Sequence, residues 1–373
     1  LALRVRVVTE LLELAERALR YADADAQVTV TRERSLVSRF ARSRPTQATE
    51  VEDTTVHVLC VRDGHTGAAE TNVLRDDALA HVVREADGAA RAAAAAADGA
   101  GDYPGLPSAA GSYRGHEGCD AATALLDPAL AGRALEATFE VAAANGVEAF
   151  GIWTAGEVET AIASTAGMRA HDRVTDAFMK VICRDGDGRS GWSAQTSVAS
   201  ADLDAAGLAQ RAAAKVARTQ PVDLPPGEYP AVLEAPAAGL LLDFLAHLAF
   251  NGLAHAEGRG ALAGRIGHRV AAPAINLADS PRFRGTLPRA FDAEGVAKAP
   301  VPLIQDGVAH AVVHDTRSAA RAGGGARSTG HAVAPGGAPS GPHATNLVLA
   351  GGGAADEQEL MSKIERGVYV TRL

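Results

Sequence analysis

Aromatic side chains are scarce: 8 Phe, 5 Tyr and 2 Trp amount to 4% of 373 residues. Recognition built on stacked bases or sugar rings needs such platforms, so it is not the expected mode of binding. Cysteine is scarcer still. Cys60, Cys119 and Cys183 stand singly with no Cys-x-x-Cys spacing, which removes a disulfide scaffold and a thiolate zinc finger and fits a reducing cytoplasm. An excess of basic charge is also missing, since 36 Lys and Arg face 45 Asp and Glu for a net charge of −9. Without a basic face, nucleic acid is not an expected partner. The longest nearly apolar run, 235–250, carries Asp243 and His247 and falls short of the roughly 20 residues a bilayer span needs. The first twenty residues alternate apolar positions with Arg and Glu rather than forming a basic start, apolar core and cleavage site. The expectation is a soluble, cytoplasmic protein with no membrane partner.

What is present is an apolar share of 47%, much of it alanine, enough for cores of Val, Leu, Ile and Ala. At about 150 residues per domain, two or three domains are expected. An amphipathic helix over 1–22 gives way to short Val- and Thr-rich strands at 27–32, 35–41, 54–62 and 66–72, then a helix over 76–98. After a Gly/Pro-rich linker over 99–118 the order returns, with a helix at 128–145, strands at 148–154, 158–164, 175–184 and 190–198, and a helix at 203–218. Cys60-Val61-Arg62-Asp63-Gly64 with Gly67 matches Cys183-Arg184-Asp185-Gly186 with Gly191. The spacing predicts a duplicated helix, antiparallel hairpins, helix unit, in an α/β (α+β) fold. Its two copies cover 1–98 and 119–220 within an N-terminal domain of residues 1–220. The Pro-dense stretch 220–230 marks the boundary to a β-rich domain, 221–373, holding one buried helix at 236–252. The last strand, 368–372, reaches Leu373 with no evident partner, as in a truncated domain.

Three constellations carry possible chemistry. Asp243 and His247 are four apart, hence on one helix face, and read either as a catalytic pair or as a satisfied polar pair inside a core or interface. His310 and His314, beside Asp315, would share one side of an alternating strand and form a metal site, or else be surface histidines among the 12 in the chain. The glycine-rich run ending Arg327-Ser328-Thr329-Gly330 invites a phosphate-loop reading, but it lacks Gly-Lys-Ser/Thr and a strand-to-helix setting.

Segments spread over nearly the whole chain resemble the TldD/PmbA family. They include Asp63-Gly64-His65-Thr66-Gly67, Leu224-Pro225-Pro226-Gly227-Glu228-Tyr229, Phe291-Asp292-Ala293-Glu294-Gly295-Val296, Arg327-Ser328-Thr329-Gly330, Thr345-Asn346-Leu347 and Arg366-Gly367-Val368-Tyr369-Val370. In the TldD branch, His-Glu-x-x-x-His on a helix binds zinc and supplies a general base, with a further Cys ligand near the C terminus. Here Asp243-Phe244-Leu245-Ala246-His247-Leu248 stands at that place, matching neither the histidines nor the Glu. The resemblance therefore implies the TldE (PmbA)-like branch. Such a subunit assembles with a TldD-like zinc metallopeptidase as a heterodimer, carries no cofactor itself, and helps enclose a passage for unfolded peptides. Arg327, Ser328, Thr329 and Gly330 would then line the passage, or serve as a plain flexible connection. Two other classes remain open: a self-sufficient hydrolase using Asp243 and His247 or a different metal set, and a non-enzymatic regulator of a larger partner.

Overall fold

The structure is a computed structural model in which residues 2–108, 113–218 and 222–373 are described, the side chains of 2–9 and 217–218 excepted. The domain boundary expected at 220/221 and the side chains of Val5 and Val8 lie outside the described residues.

The first part of the chain runs twice through one element order. Helix α1 (Ala2–Leu19), strands β1 (Asp25–Ala41), β2 (Arg44–Arg62) and β3 (His65–Thr71) and helix α2 (Asp76–Ala96) form the first round. Helix α3 (Pro128–Ala144), strands β4 (Glu148–Ser164), β5 (Arg169–Arg184) and β6 (Ser190–Ser197) and helix α4 (Ala205–Arg218) form the second. All six strands join in one antiparallel sheet, β3-β2-β1-β4-β5-β6, so the two rounds meet where β1 pairs with β4. Asp63-Gly64 makes the expected two-residue hairpin, both residues at positive φ (49° and 75°), as a type I′ turn requires.

The alternation of β1 puts Val28, Val30, Leu36 and Phe40 on the helix-covered face. Val28 and Val30 pack with Val56, Val58, Leu79 and Val82 under α1 and α2, and Leu36 and Phe40 pack with Trp153, Met179, Leu135 and Leu208 under α3 and α4. The recurring motif has a structural cause. Gly67 stands opposite Cys60 and Gly191 opposite Cys183. A side chain at Gly67 would strike the α2 backbone (Ala90 N at 2.1 Å), and one at Gly191 the α4 backbone (Ala212 O at 2.0 Å). Glycine is required for each helix to sit this close to its strand.

Two expectations about strands are corrected. The segments 27–32 and 35–41 are one strand, as are 148–154 and 158–164, because the charges that interrupt the apolar pattern pair across the sheet. Arg32 faces Glu159 and Arg34 faces Glu157 in register, and both carboxylates are buried. Glu159 bonds Arg32 and His171, and Glu157 bonds Arg34 and Arg173. The 99–118 passage, expected as a surface linker, is pinned where described: Gly101 N donates to Asp63 O (2.8 Å), and Tyr103 is buried against Leu59 and Val61.

The remainder contains β7 (Ala231–Leu233), α5 (Ala235–Leu248), α6 (Gly252–Ala256), β8 (Asn276–Asp279), β9 (Val301–Gln305), β10 (Val308–Ala309), α7 (Thr316–Ala322), β11 (Leu347–Ala350), α8 (Glu357–Ser362) and β12 (Val368–Val370). Strands β10-β9-β8-β11 form an antiparallel sheet around Phe250, Leu277, Leu303 and Val313. The final strand does have a partner, pairing in parallel with β7. The helix expected to be buried is not: α5 buries Ala237 and Ala246 while Leu240, Leu241, Phe244, Leu245 and Leu248 are exposed. Its residues are apolar on more sides than the small β8–β11 sheet can cover.

This part docks on the face of the large sheet that the helices leave bare. Ile162 and Met168 pack with Ala290 and Phe291, Gln27 Nε2 donates to Ala293 O (2.8 Å), and Ala290 N donates to Asp172 Oδ2 (2.8 Å).

Candidate functional site

Where the two parts meet, a cleft of ≈ 380 Å³ opens. Its floor is the bare sheet face, with Thr29 and Thr31 of β1 and Thr160 and Ile162 of β4, and its walls are loops carrying Arg289, Asp292, Lys298, His331, His343 and Thr345. Small hydroxyl-bearing residues on strands leave room above the sheet while offering hydrogen bonds.

The walls are held by buried charge. Asp292 accepts N–H bonds from Glu294 (3.0 Å), Val296 (2.9 Å) and Ala332 (2.9 Å). Burial still outweighs them and pushes its carboxyl up to about 6. Glu294, buried beside Asp292, is pushed up to about 7, first by desolvation and then by that neighbour, although Thr316 donates to it. Among the described residues, Glu294 Oε1 and Asp315 Oδ2 have no hydrogen-bond partner. Lys298 is almost fully buried and donates to Thr345 Oγ1 (3.0 Å); desolvation lowers its pKa against the pull of Asp279 and Asp292. Fully buried His331 lies with Nε2 3.0 Å from Asp279 Oδ1, and neither atom has another partner among the described residues.

His343 separates this cleft from a second one of ≈ 340 Å³, which reaches Asp243 and Gly239 on α5. Its Nε2 lies 3.0 Å from Asp243 Oδ1, and its ring stacks on that of His247 with centroids 4.1 Å apart. Desolvation and the neighbouring His247 lower the pKa of His343, with Asp243 opposing. Asp243 and His247 thus meet through His343 on an exposed helix face, not inside a core.

His310 and His314 are not brought together as a ligand cluster among the described residues. Strand β10 ends at Ala309, so the assumed alternation does not continue. His310 is exposed, whereas His314 packs on Gly252 with Nδ1 3.2 Å from Ser318 Oγ. In the glycine-rich loop, Ser328 and Thr329 are committed internally: Thr329 Oγ1 accepts from His314 N (2.8 Å) and meets His331 Nδ1 (2.9 Å), while Ser328 Oγ donates to His314 O (3.3 Å). Gly330 is buried at φ 78° against Ala297 and Lys298, which leaves Arg327 as the exposed member of the four.

Sequence reasoning missed Lys298, Asp279 and the meeting of His343 with α5. The one available signal was the string Asp292-Ala293-Glu294-Gly295, two carboxylates beside a glycine, without any indication that both would be buried.

A duplicated α/β unit whose bare sheet face carries a second, loop-rich part defines the class of protein. The "PmbA/TldA metallopeptidase central domain" matches residues 121–220, and the "PmbA/TldA metallopeptidase C-terminal domain" matches residues 226–373. The chain belongs to the PmbA/TldD family. Its fold is similar to that of TldE from Thermococcus kodakarensis, with a TM-score of 0.82 at 20% identity over 97% of this chain and 82% of that one. It is also similar to a proposed modulator of a DNA gyrase from Thermotoga maritima, with a TM-score of 0.81 at 22% identity over 96% and 82%. A third, from Bacteroides thetaiotaomicron and described in the same way, gives 0.77 at 19% identity over 97% and 80%. No curated protein matches the sequence.

The family's metallopeptidase description implies a metal. The segment Asp243–Leu248 does not fit the hydrolytic set that the resemblance leads one to expect, because Phe244 stands where the Glu should be and Asp243 and Leu248 stand where the histidines should be. No helix among the described residues is long and apolar enough to cross a membrane.

Proposed function

We propose that this chain is a TldE-like, cytoplasmic subunit that joins a TldD-type zinc metallopeptidase and helps enclose a passage for unfolded peptides, which the partner hydrolyses. The observation that carries the reading is helix α5. It bears no carboxylate at position 244 to act as general base, and it leaves Leu240, Leu241, Phe244, Leu245 and Leu248 exposed. A contiguous apolar face of this kind is costly in water and marks a surface meant to be covered. The cleft over the sheet supports the peptide part of the reading. Threonine hydroxyls from β1 and β4, with Arg289 and Lys298 on the wall, suit an extended chain rich in carbonyl oxygens. Arg327, exposed at the loop edge, is the contact from the glycine-rich segment that remains available.

Co-expression with a subunit bearing His-Glu-x-x-x-His tests this. The expected result is a stable complex that cleaves unfolded peptides, and its loss in Leu241→Asp/Phe244→Asp with the fold of the single chain intact. Peptide turnover by the purified chain alone overturns the reading and favours a self-sufficient hydrolase, for which the meeting of Asp243, His247 and His343 is the specific observation. Recovery of a topoisomerase instead of a peptidase subunit in a pull-down favours a regulator.

A further inference from the structure

We infer that the outer edge of β2, from Arg44 to Thr55, is a docking surface for the same edge of a second copy of this chain, paired antiparallel about a two-fold axis at Ala48. Strand β2 runs from Arg44 to Arg62, but β3 covers its outer edge only from Val56 onward. Ahead of Val56 the strand pairs with β1 alone, and among the described residues no backbone group from Thr46 to Thr55 bonds outside that ladder. In an antiparallel ladder every second residue of such a strand turns its N–H and C=O away from its partner, so the stretch offers a row of unmet main-chain groups. Residues 44–48 and 50–53 are exposed, and no residue of the stretch lines either cleft.

The charges along the edge select the occupant. Sheets blunt a long free edge with charge, and charge of one sign along it repels a second copy. Here the two signs sit at opposite ends. Arg42 and Arg44 stand at the hairpin tip, Glu50, Glu52 and Asp53 stand near the junction with β3, and residues 45–49 between them carry no charge. A two-fold axis normal to the sheet keeps each face on its own side, so even-numbered residues stand opposite even-numbered ones. Centred on Ala48, that register sets Arg44 of each copy opposite Glu52 of the other, and Thr46 opposite Glu50. Arg44 and Glu52 are both exposed, and Glu52 holds only a 3.8 Å contact with Arg34. The tip is a tight turn, with Arg42 and Ser43 both at positive φ (51° and 53°), and adds no loop to obstruct the approach. It would reach the start of the other copy's β3, so the free stretch is used up from end to end. A two-fold contact that consumes its own surface closes at two copies instead of growing into a fibre.

The surface belongs to the six-stranded sheet and not to α5, so it is tested on the full chain alone, independently of any peptidase subunit. Sedimentation of the wild type should show a dimer. Its dissociation constant should rise at least about tenfold in Arg44→Glu and recover in Arg44→Glu/Glu52→Arg, where the two signs are exchanged. Under mild oxidation Ala48→Cys should form an intermolecular disulfide, because directly opposed residues of an antiparallel pair lie about 4.5–5.5 Å apart between Cα atoms, within disulfide reach. Thr46→Cys, opposite Glu50 and not its own counterpart, should not. A monomeric wild type overturns the inference. So does a dimer that Arg44→Glu leaves unchanged, or one in which Ala48→Cys and Thr46→Cys cross-link alike, since either result assigns the contact to another surface.

Discussion

The six-stranded sheet and the loop-rich part that docks on it handle buried charge in opposite ways. In the sheet, Glu157 and Glu159 are buried at the joint between the two rounds, yet each meets two cationic or histidine partners from β1 and β5. In the docked part, Asp292 and Glu294 are buried beside each other, and Glu294 Oε1 and Asp315 Oδ2 have no geometric hydrogen-bond partner among the described residues. A regular antiparallel ladder places opposite charges face to face by register alone. Loops have no such rule, so their charges are held by backbone N–H groups and single contacts, as Asp292 is at the wall of the cleft. The contrast lies in how buried charge is met: the ladder pairs Glu157 and Glu159 with cationic or histidine side chains, whereas Asp292 and Lys298, which line the cleft, are held by backbone N–H groups and a threonine hydroxyl.

The comparison is tested most severely at His331. Replacing it by Ala removes the neighbour of fully buried Asp279, which would retain the Asn346 N–H at 2.8 Å and Lys298 nearby. A loss of about 3 kcal/mol in chemical denaturation is expected, because buried, ionised Asp279 loses a polar neighbour and a cavity is left in place of the ring. A loss below about 1 kcal/mol would show that the docked part tolerates its unpaired charges and that the contrast is superficial.

The internal repeat supplies a sharper, smaller test. Gly67→Ala and Gly191→Ala each push a methyl into a helix backbone, at 2.1 Å from Ala90 N and 2.0 Å from Ala212 O. Each should cost about 1–3 kcal/mol, and the two costs should agree if the rounds are equivalent in packing as well as in order. Thermal unfolding of both variants checks this, and a large inequality would break the parallel.

The smallest effect is one of pH. The folded-state pKa of Glu294 is raised to about 7 from an ordinary 4.5, so the native state retains a proton that the unfolded chain has released. Its contribution to stability is therefore full below about 4.5 and is lost as pH rises towards about 7. His314, His331 and His343, whose pKa values are lowered, tilt the total the other way as pH approaches 6.5. The measurement is accordingly a difference. Glu294→Gln should show a flatter fall of stability between pH 4.5 and 7 than the wild type, and identical slopes would refute the assignment.

Much of the fold was legible in the sequence. The turn residues Asp63-Gly64, the 3.6-residue spacing of α2 with Leu79, Val82, Val83 and Ala86 buried, and the Cys-to-Gly motif all report local geometry, which neighbouring residues fix by themselves. Where the reading cut β1 and β4 in two, it obeyed a local rule that charges interrupt strands, and the ladder between Arg32, Arg34, Glu157 and Glu159 overrode it. Of the candidate site, Asp243 and His247 were visible as a pair four apart, because helical period is local. His343, one hundred residues away from Asp243, was not, and neither was the exposure of α5.

The amino-acid order by itself determined the element sequence, the duplication, the tight turns and the loss of the His-Glu-x-x-x-His set, since each depends on residues near one another along the chain. Only the tertiary structure decided which face of the sheet stays bare, which carboxylates lose water, and that a histidine from the loop before β11 meets α5. Those outcomes depend on which surfaces exclude solvent from which, and desolvation is a property of packed neighbours rather than of spacing.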